Sequence, residues 1–139
     1  MHRLTWLLLL LGCGYAVGPR PDVTCRGAIL NVVESPSVDC AAFTAQETRS
    51  LEAISPHADT SQLRGWIVVV RAVDSWQVAG VQVSGRAWCD FGVLEIGSNL
   101  AALTHEMIHA GECQTREGPD YAHAGWGDWK FHAVDEAVQ

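Results

Sequence analysis

Residues 105–109 read His105-Glu106-Met107-Ile108-His109, and this spacing constrains the fold more than any other stretch of the chain. On a helix, residues four apart lie one above the other, so both imidazoles point to the same side. At about 100° per residue, Leu100, Leu103 and Met107 fall on the opposite side. Ala102 falls between the histidines. A surface helix carries Lys, Glu or Arg on its outer face. Small residues around two histidines instead predict a helix covered on both sides, with the imidazoles lining a cleft. Ser98 or Asn99 is the expected N-cap and Gly111 the expected stop.

Two imidazoles one turn apart can share a metal ion. Zinc suits them if a third protein ligand joins and a fourth position stays open for water. Glu106, one step round the helix, is placed to take a proton from that water. The plain alternative is a helix with two surface histidines and a solvated glutamate. For the third ligand the expectation is His123, returned by a loop containing Gly111, Gly118 and Pro119. Glu112 is a poorer choice, because a continuing helix carries it about 10 Å along the axis from His105. Asp120 serves as a ligand or, more naturally, orients an imidazole through its free N–H. His132 is a further alternative. Tyr121 is either an oxyanion donor or a packed side chain. His57 reads as a surface histidine, and Trp126 and Trp129 as core.

The chain has 139 residues, enough for one domain with a modest core. It is 48% hydrophobic and 18% charged, which excludes disorder. A net charge of −7 argues against nucleic acid or an anionic membrane surface as partner. The start, Met1-His2-Arg3 and then an apolar run from Leu4 to Leu11, reads as a signal peptide over residues 1–12. Leu10-Leu11-Gly12-Cys13 resembles a bacterial lipobox, with Cys13 lipidated as the first mature residue. Gly14, where an Asp favours inner-membrane retention, points to the outer membrane. The alternative is ordinary cleavage near Ala16. Residues 13–24 are then a Pro- and Gly-containing tether and 25–139 the domain. Of the five cysteines, four remain after Cys13, an even number that suits disulfides in an oxidising compartment. Of the three possible pairings, the expected one is Cys25–Cys40 with Cys89–Cys113. A competing reading makes Cys89 or Cys113 a zinc ligand.

Along the chain, Ala28 to Val33 is expected to form a strand. A helix over Ala45 to Ile54 follows a Thr44/Glu47 capping box. Trp66 to Val73 predicts a central strand covered on both faces. Strands are also expected over Gln77 to Val83 and over Trp88 to Ile96, the latter bent at Gly92. Val93 to Ile96 is the candidate edge strand for pairing with a substrate backbone, the alternative being an ordinary interior strand. A terminal helix starts at Trp129 with Asp128 as its N-cap. The fold class is α+β: a small mixed or antiparallel sheet packed on the helix of His105 and His109, with one or two further helices.

Residues from about 92 to 132 resemble a small zincin metallopeptidase. Asp120-x-x-His123-x-x-Trp126 is similar to the third-histidine segment of SprT-like and other minimal zincins. The resemblance implies that His105, His109 and His123 bind Zn2+ and that Glu106 is the general base. Departures are specific. Metzincins need Gly and His where this chain has Glu112 and Thr115. The aspzincin Gly-Thr pair and the glycine-rich deformylase motifs are missing. The implied protein is a monomeric, lipid-anchored zinc peptidase of the cell envelope acting on peptide or protein substrates. The alternative is a non-catalytic zinc-binding or interaction lipoprotein.

Overall fold

Four β-branched residues in a row favour extended backbone, and Ile67–Val70 forms the middle strand of a five-stranded sheet. The structure, a computed structural model, describes residues 22–115, 123 and 125–139. Its strands are β1 (Val23–Arg26), β2 (Asn31–Val33), β3 (Ile67–Val70), β4 (Trp76–Val78), β5 (Val81–Val83), β6 (Gly85–Trp88) and β7 (Val93–Ile96). The helices are α1 (Cys40–Ile54), α2 (Leu103–Thr115) and α3 (Asp128–Val138). The main sheet runs β1-β2-β3-β7-β6, and β4-β5 is a separate hairpin. β2, β3 and β7 are mutually parallel, with antiparallel strands at both edges. The α+β expectation therefore holds, with three helices and a mixed sheet. Among the described residues no helix is long and apolar enough to cross a membrane.

Several boundaries differ from the expectation, each for a physical reason. The strand expected over Ala28 to Val33 begins only at Asn31, because residues 28–30 wrap around a buried carboxylate. Glu47 accepts the backbone N–H groups of Ala28, Ile29 and Leu30 at 2.7, 3.0 and 2.9 Å. Gly27 is needed beside it, since a Cβ there collides with the same carboxylate. Glu47 is thus no capping residue. α1 starts earlier, at Cys40, capped by Asp39, whose carboxylate accepts from Ala41 and Ala42 N–H at 2.9 and 3.2 Å. Thr44 lies inside the helix and donates to the Cys40 carbonyl. Val23 and Thr24, expected in the tether, belong to β1.

β3 is covered on one face, not two. Val68, Leu94 and Ile96 join Phe43, Leu103 and Met107 in one core between sheet and helices. On the opposite, half-buried face Glu95 accepts from Arg71 Nε at 2.6 Å and Trp88 Nε1 at 3.3 Å, beside Ile67, Val69 and Val93. Residues 77–83 are a hairpin, reversed at Ala79 and Gly80, where φ is 48° and 82°. Trp88 and Val93 likewise end and begin two strands. α2 starts at Leu103, after an Asx turn in which Asn99 accepts from Ala101 N–H. It runs past Gly111 to Thr115. α3 is capped by Gly127, with Asp128 in its first turn.

Both expected disulfides are formed. Cys25–Cys40 ties β1 to the start of α1, and Cys89–Cys113 ties the end of β6 to α2. Two disulfides fit an oxidising, extracytoplasmic setting.

Candidate metal centre

α2 carries His105, Glu106 and His109 toward the open end of the sheet. Its first turn is fixed from behind: buried Thr104 shares a 2.7 Å hydrogen bond with buried Ser50 of α1. His123 comes back from beyond α2 to meet the pair. Nε2 of His123 lies 3.0 Å from that of His105 and 3.3 Å from that of His109, and the helical pair is 3.1 Å apart. Four donors around zinc at 2.0–2.1 Å sit roughly 3.3–3.4 Å from one another, so the triangle matches a tetrahedral ion's ligand set. The donor chemistry agrees. A neutral imidazole has one N–H, and three Nε2 atoms aimed at a common point cannot all hydrogen-bond one another. A shared cation removes that conflict. Among the described residues this is the one group of three ligand side chains that fits a metal ion.

His123 has φ 58°, in the left-handed region that non-glycine residues seldom occupy. Such a backbone persists where the surroundings enforce it, and functional sites are where it clusters. A turn in which Trp126 N–H donates to the His123 carbonyl at 3.0 Å holds it. The buried Trp126 ring packs against all three imidazoles, with centroids 4.7, 5.0 and 4.6 Å away. Trp126 is core, as expected, and also the floor of the site.

No protein-family model, no curated protein and no solved structure matches this chain.

Burial holds the pKa of His105 down to about 4, helped by the like-charged forms of His109 and His123, so its imidazole is neutral and ready to ligate at neutral pH. Burial pushes Glu106 up to about 8, opposed by the backbone N–H of Ala87. A cation beside Glu106 favours its carboxylate form. Ala87 belongs to β6, which places that strand next to Glu106. Val93 to Ile96, expected at the edge, is instead interior, flanked by β3 and β6. The open edge is β6. Gly97 N–H donates to the Ser84 carbonyl at 2.8 Å, which sets the alternation of the antiparallel ladder. Arg86 and Trp88 bond inward to β7, while Gly85 and Ala87 direct their N–H and C=O groups outward. These outward groups border a cleft of about 370 Å³ that also takes in the three imidazoles and Glu106.

Glu112 is not a ligand, and sequence reasoning missed what it does. It is buried, ion-paired with buried Lys130, and its Oε2 lies 3.6 Å from His109 Nδ1 and 3.4 Å from Trp126 Nε1. A carboxylate on the non-ligating nitrogen fixes an imidazole's tautomer and orientation. The signal was legible as a third chemistry-bearing residue, three positions after His109 on the same helix. Gly85, which lies outside both strands expected on either side of it, is the second miss: it opens β6. His132 pairs with Glu136 on the exposed side of α3, away from the centre. His57 is exposed and stacks on Trp129. Cys89 and Cys113 are bonded to each other, so neither offers a thiolate. Cys13, Asp120 and Tyr121 lie outside the described residues.

Proposed function

We propose that this chain is a zinc-dependent metallopeptidase of the small zincin type, held in the bacterial cell envelope by a lipid on Cys13, with the outer membrane as its address. The observation that carries it is the convergence of three Nε2 atoms within 3.0–3.3 Å beside a buried carboxylate. His105, His109 and His123 would hold the ion. What zinc supplies when bound is Lewis acidity, which polarises a carbonyl and acidifies water. Glu106 takes the proton from the attacking water and passes it to the departing amine. Ala87 N–H holds the Glu106 carboxyl in place meanwhile. The outward N–H and C=O of Gly85 and the outward C=O of Ala87 pair with an extended peptide, which positions its carbonyl over the imidazoles. Trp126 excludes water from beneath. The two disulfides support the extracytoplasmic placement.

Two variants test this. Glu106→Gln should abolish casein or peptide hydrolysis while leaving zinc content at one equivalent. His123→Ala should lose the metal. Full activity in Glu106→Gln refutes the mechanism. A zinc-binding wild type that cleaves no peptide points instead to a non-catalytic zinc lipoprotein. Cys13→Ala should release the chain from envelope membranes on fractionation.

A further inference from the structure

The β4–β5 hairpin is amphipathic in a way its own fold does not require. Register pairs Val78 with Val81 and Gln77 with Gln82, so strand alternation puts Val78, Val81 and Val83 on one face and the glutamines on the other. Gln77 Nε2 donates to Gln82 Oε1 at 2.6 Å, and Gln82 Nε2 donates in turn to Ser75 Oγ. The valine face looks into the same cleft as the imidazoles. Val81, at its tip, is 63% exposed. An isolated two-stranded hairpin is marginal in water, but this one is anchored at its base. Arg71 stacks over Trp76 at 4.4 Å while bonding Glu95, and Ser98 N–H donates to the Val73 carbonyl at 3.0 Å. It is a fixed wall facing the metal ligands across the open edge of β6.

Resting on the peptidase reading, we propose that this wall sets specificity: the substrate is an extended peptide that lays its backbone along β6 and seats an apolar side chain against Val78, Val81 and Val83. A peptide on the edge strand turns alternate side chains to one side. The side chain next to the carbonyl over the imidazoles therefore meets the hairpin. The cleft gives a charged side chain no partner. Among its described residues the one acidic group is Glu106, and the one cation, Arg86, is stacked on Trp88 with its guanidinium 3.6 Å from the ring centroid. Seating a charge there forfeits its hydration with nothing in return.

The test uses the full zinc-bound chain and a set of quenched fluorescent peptides that differ at one position beside the scissile bond: Leu, Val or Phe against Gly, Asp or Lys. The expected result is a kcat/KM at least about tenfold higher for the apolar set. Val81→Asp, at an exposed position that leaves the core untouched, should erase that preference and improve the Lys peptide, with zinc content unchanged. Val81→Ser should give an intermediate ratio. Cleavage without apolar preference, or a preference that Val81→Asp leaves intact, overturns the specificity proposal and leaves the peptidase reading standing. If no peptide is cleaved, binding of leucine hydroxamate against aspartate hydroxamate decides. Tighter binding of the leucine compound, lost in Val81→Asp, upholds the wall. Equal binding overturns it, and no binding of either overturns both readings.

Discussion

A Cβ on Gly85 would meet Glu106 Oε1 at 2.5 Å and its Cγ at 2.6 Å, so the absence of a side chain on β6 is what admits the Glu106 carboxyl. Gly85→Ala therefore pushes the Glu106 carboxyl off the position that Ala87 N–H defines. Overpacking of this kind costs about 1–3 kcal/mol. The sharper expectation is kinetic: kcat falls by tenfold or more while zinc content and KM hardly change. A Gly85→Ala enzyme with normal kcat counts against the placement of Glu106. Glu112 bears on the metal and not on the proton. Its carboxylate faces His109 Nδ1, so Glu112→Gln should weaken zinc binding by about 10–100-fold, read by competition with a chromophoric chelator. Lys130→Met leaves the Glu112 charge buried without its cation, a loss of about 3–5 kcal/mol. An unchanged zinc affinity in Glu112→Gln would make Glu112 merely a structural partner of Lys130.

α2 and β6 form two sides of the cleft, and the Cys89–Cys113 bond joins them. Cys113 lies one helical turn beyond His109, and Cys89 directly follows β6. A bridge closing 24 residues contributes about 3 kcal/mol. Replacing both cysteines by Ser should lower the melting temperature by roughly 10 °C. It should also cut kcat/KM more than it cuts zinc content, because two of the three imidazoles sit on α2 itself, whereas β6 is joined to α2 through the bridge. Equal losses of metal and activity would remove the bridge from any role in cleft width. The helix of His105 and His109 was legible from local periodicity, and His123 from a glycine- and proline-containing loop able to turn back; an even number of cysteines foretold two disulfides but left three pairings open. Residues 77–83 were not, because their reversal falls on Ala79 in a left-handed conformation, without the Asn-Gly or Asp-Gly pair that marks such turns. Thr44 and Glu47 have the spacing of a cap, yet three backbone N–H groups from a distant loop claim the glutamate. The edge position of β6 depends on strand order, which no window of sequence contains.

Concentrating three imidazoles and a carboxyl in one buried place makes stability depend on whether a cation is bound. In the metal-free protein Glu106 titrates near 8 against 4.5 when unfolded, so the fold favours its protonated form. That contribution is complete below about pH 4.5 and is lost as pH rises through 8. His105 titrates near 4 against 6.5, so the fold favours its neutral form. Its contribution is complete above about pH 6.5 and is lost as pH falls through 4. Between these limits, from 4.5 to 6.5, the two slopes oppose and cancel. From 6.5 to 8 only Glu106 acts, and metal-free stability falls by about 1 kcal/mol per pH unit. Metal binding goes the other way, since ligation displaces protons and strengthens with pH over the same interval. The melting temperatures of zinc-bound and chelator-treated protein should therefore diverge from pH 6.5 to pH 8. Groups remote from the centre titrate alike in both forms and drop out of the difference. A gap that stays constant between pH 6.5 and 8 would mean that Glu106 does not share a buried site with the ion, and the proton-transfer role assigned to it would fall.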